Sequence, residues 1–180
     1  MKKNILFTIF MIAATITNIN AQSGNNVSTV VSADLLVAMV INQTSPLNFG
    51  SSVLTDANGG TIELPSNSIT RIYGGGVATS AASPAPTNAA YDVSGNANQT
   101  YALVLPTTTT VTHTSVSTGV FEMNITLMKA RFNGAADDAT VSNLSAEGSD
   151  SFTVGGTLTV LPNQVGGQYT GTFQVSVDYN

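Results

Sequence analysis

His113 is the single imidazole of the chain and stands in a run of threonines. Acid–base work near neutral pH, or a metal site built on nitrogen or sulfur, would have to use it. No cysteine and no second histidine exist to complete such a site, and the surrounding residues suit a solvent-facing position on a strand. Asp137 and Asp138 with Asn133 offer oxygen ligands of the kind calcium takes. The D-x-[DN]-x-[DN]-G spacing of a calcium loop is absent, so the stretch reads as a solvated turn. Gly74-Gly75-Gly76 beside Arg71 has the composition of an anion cradle, yet no Gly-Lys-Ser/Thr and no helix follow it, and it too reads as a turn. Serines are plentiful without a G-x-S-x-G elbow. The spacing of the carboxylates singles out no acid–base pair, and five tyrosines without a tryptophan make a poor sugar-stacking platform. No catalytic, cofactor-binding or metal-ligating residue is assigned, no cofactor is expected, and the chain is not read as an enzyme.

The elements that would carry such residues are β-strands, and the last stretch is the clearest. From Gln168 to Asn180, Phe173, Val175, Val177 and Tyr179 alternate with Gln174, Ser176, Asp178 and Asn180. Period-two alternation sets one apolar row against a core and one polar row in water. The segment Val27–Ile41 alternates in the same way. Its odd positions Val27, Thr29, Val31, Ala33, Leu35, Val37, Met39 and Ile41 are almost all apolar, and its even positions include Ser28, Ser32 and Asp34. β-Branched content favours a long strand here over a helix. A strand of that length either bends between two sheets or serves something outside its own sandwich.

Further strands are expected at Thr61–Leu64, Ser68–Tyr73, Ala89–Ser94, Thr100–Leu105, Thr107–Val116 (an edge), Val120–Ala130, Thr140–Ala146 and Ser151–Leu161. Turns are expected at Asn58-Gly59-Gly60 and Gly74-Gly75-Gly76. Ala89–Ser94 and Thr100–Leu105 read as a strand pair joined through Gly95–Asn98. Phe121, Met123, Ile125 and Leu127 would share one face, and Gly155-Gly156 signals a bulge or the close approach of another backbone. Residues 77–88 read as a surface loop. Nine or ten short strands without a convincing helix predict an all-β, Ig-like antiparallel β-sandwich of about nine strands.

Residues 1–21 look like a signal peptide. Lys2 and Lys3 precede an apolar stretch, Ile5–Ile16, and Ala21 offers a small residue for cleavage before Gln22. The apolar run is short for a bilayer span. Residues 22–180 then form a single domain, with 22–41 as its first strand or as a donor extension. Without the signal peptide, Arg71, Lys129 and Arg131 face ten carboxylates, a net charge of −7. An acidic surface of this kind has no electrostatic footprint for nucleic acid or for anionic lipid. Export to the periplasm, cell surface or medium is expected, with no membrane insertion after signal removal.

Four pieces, LNFG at 47–50, GGGV at 74–77, AAYDVSG…TYALVLP at 89–106 and VGGTLTVLPNQVGGQYTGTFQVSVDYN at 154–180, together resemble the bacterial secreted family catalogued as domain of unknown function 4402. The C-terminus is also similar to subunits of chaperone–usher pili. Tyr179 is penultimate, Phe173, Val175 and Val177 alternate before it, and Gly167 is the fourteenth residue from the end. That resemblance implies a pilin-like sandwich whose last strand flanks a groove left by a missing strand. A periplasmic chaperone would fill the groove first, and the N-terminal extension of another copy or a related subunit would then replace it, with an outer-membrane usher as a further partner. Gly167, Phe173, Val175, Val177 and Tyr179 would form the groove side. Val31, Ala33, Leu35, Val37 and Met39 would form the donor side. The expected function is a surface fibre or matrix subunit assembled by β-strand complementation. The alternative is a monomeric adhesin or binding module for glycans or proteins, through loops near 77–88 or 133–138.

Overall fold

A computed structural model describes residues 27–50, 53–79 and 84–180. The expected signal peptide lies outside these residues. The chain divides into two units at Asp34–Leu35, and Leu35–Asn180 is the folded domain. Its regular elements are all β-strands: β1 (Val40–Ser45), β2 (Val53–Leu64), β3 (Ile72–Thr79), β4 (Ala89–Ser94), β5 (Thr100–Val104), β6 (Thr108–His113), β7 (Glu122–Phe132), β8 (Val141–Asn143), β9 (Ser149–Val160), β10 (Tyr169–Thr170) and β11 (Ser176–Tyr179). All the strand pairs are antiparallel. They form an all-β sandwich of one eight-stranded sheet and one three-stranded sheet, the latter ordered β11-β5-β8.

β9 is the axis of the large sheet. One edge pairs with β7, from Phe152↔Phe132 to Thr159↔Asn124. The other edge is shared: Ser149–Val154 pairs with β4, and Gly156–Val160 pairs with β2. β4 carries β1 outward and β2 carries β3, while β7 leads to β6 and β10. The expected close approach at Gly155-Gly156 is the fork itself. A Cβ on Gly155 would lie 2.1 Å from the Leu64 carbonyl oxygen and 2.6 Å from backbone atoms of Pro65 and Ser66, where β2 ends and turns away.

Opposite the fork, the register of β7 shifts between Thr126 and Lys129. The bulge overturns the expectation that Leu127 shares a face with Met123 and Ile125. Those two are buried, whereas Leu127 is 68% exposed and adopts φ +50°. An extra residue in one strand rotates the following side chain off the row, and Ala130 and Phe132 then resume it. A branched side chain in the left-handed region is strained and here gains little from burial. Leu127→Gly is therefore expected to stabilise the domain by about 1 kcal/mol, read as a higher denaturant midpoint at constant slope.

Two clusters fill the interior. The first, between the sheets, contains Tyr91, Val93, Tyr101, Leu103, Phe132, Leu144, Phe152 and Val154, with Phe173, Val175, Val177 and Tyr179 packed against it. Phe152 stacks on Tyr91 at 5.1 Å and meets Phe132 edge-on at 5.5 Å. The Tyr101 hydroxyl donates to Asp150 Oδ2 at 3.0 Å, and Ser142 donates to the same oxygen at 2.6 Å. Burial and the neighbouring Asp150 charge raise the Tyr101 pKa, so the phenol stays a neutral donor linking the two sheets. The second cluster contains Phe49, Ile62, Leu64, Val77, Met123, Ile125, Leu158 and Val160.

Several expected elements are corrected. Val27–Met39 forms no strand, and pairing starts at Val40 opposite Ser94. Alternation prepares a strand, but a strand needs a partner's backbone, and β4 ends at Ser94. The last stretch is not one strand: β10 pairs with β6 in the large sheet, β11 pairs with β5 in the small one, and Gly171–Val175 crosses between them without pairing. β4 and β5 exist as expected but lie in different sheets rather than as a hairpin. The glycine clusters are not turns. Gly59 and Gly60 sit inside β2 at a register shift, and Gly74–Gly76 sits inside β3, with Gly60 facing Gly75. A Cβ on Gly60 would lie 2.1 Å from the Gly74 carbonyl oxygen, so these glycines permit two backbones to pack closely. Pro46–Gly50, whose Pro-Leu-Asn-Phe-Gly sequence reads as a short strand ending in a turn, is irregular apart from the bridge Asn48↔Thr87.

Candidate functional site

The three-stranded sheet covers the first cluster and contributes nothing to the second. Among the described residues, no member of the second cluster comes from β5, β8 or β11. Beside it lie the irregular residues Leu47, Phe49 and Phe173, and Tyr169 of the short strand β10. Between these flanks and a floor of Ile62, Met123, Ile125, Leu158 and Val160 runs a groove of about 1140 Å³. β11 pairs with β5 along one edge, and no strand of the described residues pairs with its other edge. The groove thus has an apolar floor, and the free edge of β11 lies outside its lining.

Each wall is braced. Arg71 Nη1 donates to the Phe49 carbonyl at 2.9 Å, while its guanidinium lies 5.6 Å from the Tyr73 ring centroid. It therefore holds a rim in place rather than serving an anion cradle. His113, expected to face solvent, is half-buried. Its Nδ1 accepts the N–H groups of Ser115 and Val116, each at 3.0 Å. That places the ring proton on Nε2, which donates to the Gly166 carbonyl at 3.2 Å. The ring also meets Tyr169 edge-on at 5.1 Å. Gly167 is backed directly against it, at φ +149°, and a Cβ there would lie 2.1 Å from Nε2. His113 is thus a latch on the groove wall, a role that its lone position among threonines did not signal.

The expected groove residues divide. Gly167 and Phe173 line the groove, and Phe173 also packs on the first cluster. Val175, Val177 and Tyr179 pack on the first cluster alone. On the expected donor side, Val31 is 87% exposed and Ala33 is exposed, both without regular structure. Leu35 is 94% exposed, Val37 is exposed, and Met39 is half-buried against the first cluster. The structure therefore places Met39 on its own domain, not in the free segment. Sequence reasoning missed Leu47, Phe49, the five floor residues and Tyr169. Their alternation was legible, but membership of an incompletely covered face depends on which strands lie opposite.

The turn at 133–138 is closed by Arg131, whose Nε lies 2.9 Å from Asp138 Oδ1. Ser66 Oγ donates to the same oxygen. Burial raises the Asp138 pKa, but the bonds from Ser66 and Arg131 and the nearby cations outweigh it and hold the carboxyl below its usual value. Asp138 is committed to fold contacts. Of the loop at 77–88, residues 80–83 lie outside the described set.

The fold defines the class: an all-β antiparallel sandwich whose smaller sheet leaves the second cluster's face incompletely covered. The chain belongs to the family described as Domain of unknown function (DUF4402), whose model matches residues 39–179. No curated protein and no solved structure matches it.

Proposed function

We propose that this protein is an exported structural subunit of a surface fibre or matrix and that it assembles by β-strand complementation between copies. One observation supports the reading above others: a single chain carries both an apolar groove and an exposed apolar segment outside any strand that could fill it. Val27, Val30, Val31 and Leu35 are each at least 86% exposed. Soluble proteins bury apolar side chains of this size or use them as contact surfaces. Laid in the groove as an extended strand, the segment would place alternate side chains on the groove floor.

Before assembly a periplasmic chaperone would fill the groove, since an exposed apolar face invites aggregation.

Native material sheared from cells is expected to run as a ladder on a detergent gel without heating. After boiling it should collapse to one band at the size of the processed chain, because strand-exchanged β-zippers resist detergent. A single band in both lanes would mean a self-contained sandwich, and the protein would then act as a monomeric binding module.

A further inference from the structure

We infer that the Tyr179 hydroxyl, together with Asn96, is the positioning device that directs the N-terminal segment to a second copy instead of its own groove. The inference rests on strand complementation as proposed above. The hydroxyl donates to the Val37 carbonyl at 2.8 Å and accepts the Asn96 N–H at 2.7 Å. Asn96 Oδ1 in turn accepts the Val37 N–H at 2.8 Å. Both backbone groups of Val37 are thereby held, one by each partner. The clasp is built into the fold: a Cβ on Gly95 would lie 2.4 Å from the Tyr179 hydroxyl, so a glycine leaves the space the phenol occupies.

The clasp fixes where the free segment begins. Residues up to Leu36 precede it, and from Val40 the chain is committed to β1. The family match begins at Met39, two residues past the clasped position, so the free segment precedes the shared domain.

The clasp and the groove also lie at opposite ends of the sandwich. β1 runs from Val40, next to the clasp, towards Leu47 and Phe49 at the groove. The last stretch runs the other way, from Phe173 in the groove to Tyr179 in the clasp. Six extended residues span roughly 20 Å. The ten residues Val27–Leu36 reach roughly 33 Å when extended. To enter its own groove the segment would have to use over half its length crossing its own domain. A second copy's groove imposes no such crossing. The contact is then heterologous, head to tail, and extends as an open chain of copies.

The absence of cysteine permits a direct test. Val31→Cys and Thr170→Cys, on the free segment and the groove rim, are combined in the full chain and treated with a short bis-maleimide. In the otherwise natural chain a ladder of cross-linked copies is expected. Adding Tyr179→Phe, or Asn96→Ala should the first variant fail to fold, is expected to shift product towards internally bridged monomer. The ratio should change roughly tenfold, the weight of one or two lost hydrogen bonds. A cooperative thermal melt retained by the variant separates this from general unfolding. Equal ladders with and without the clasp would overturn the inference and leave strand complementation standing. Internally bridged monomer in the natural chain would overturn both the inference and complementation between copies. No cross-link in any background would sink strand complementation and the inference with it.

Discussion

A chain ending at Phe173, without residues 174–180, is expected to show no cooperative folding transition. The missing residues include all of β11, one of the three strands of the small sheet. Val175, Val177 and Tyr179 all pack on the first cluster, so their loss exposes Tyr101, Leu103 and Phe132 from the sheet side. Burying a whole apolar side chain contributes about 1.5–3 kcal/mol, and these three are half-buried. The truncation also removes the β11–β5 ladder, from Ser176↔Val104 to Tyr179↔Tyr101, and the Tyr179 clasp. Together these losses are comparable to the whole stability of a domain, about 5–15 kcal/mol. Near-ultraviolet circular dichroism during a thermal melt is the direct measurement. A truncated chain that stays soluble and melts in one sharp step would show that the small sheet holds without its outer strand.

Gly155→Val should be nearly as damaging, though it removes no contact. The first atom of any side chain at 155 would sit 2.1 Å from the Leu64 carbonyl oxygen, with Pro65 and Ser66 backbone also closer than 3 Å. These are backbone atoms at the fork, where β9 passes from one partner strand to another, and they cannot rotate aside as a flexible side chain would. Relief requires β2 to move off β9. That costs ladder bonds and opens the second cluster at Ile62 and Leu64, both fully buried. Overpacking of this kind costs about 1–3 kcal/mol where neighbours adjust, and more where they cannot. A loss of about 3 kcal/mol or more is expected, read as a lower midpoint in chemical unfolding. Gly156→Ala is the matched control. Its nearest neighbours are the side chains of Ile125 and Met128, at 3.2 and 3.3 Å, and a small adjustment accommodates a methyl. Equal stability of the two variants would show that the fork is not a tight point.

Much of the fold is legible in alternation. Tyr91 and Val93 in β4, Tyr101 and Leu103 in β5, and Phe152 and Val154 in β9 all point inward as period-two spacing predicts. Alternation failed wherever pairing rather than patterning decides. Val27–Met39 alternates as well as any strand, yet no strand of the described residues pairs with it. Leu127 continues a row that a bulge breaks. The glycines at 59–60 and 74–76 look like turns, because a residue without a side chain serves equally a tight turn or a close backbone crossing. His113 looked idle because the partners that tie it to the groove wall, Gly166 and Tyr169, lie more than fifty residues away.

The sequence by itself determined an antiparallel β protein with two alternating terminal segments, because side-chain period and β-branching are local properties. It also determined family membership, since the residues carrying that likeness stand in order along the chain. The tertiary structure alone decided that the small sheet stops short of the second cluster, that the C-terminal stretch changes sheets at Gly171–Val175, and that the penultimate tyrosine holds Val37. Each depends on which distant backbone lies alongside, and hydrogen bonding between strands is set by the whole topology rather than by any one stretch.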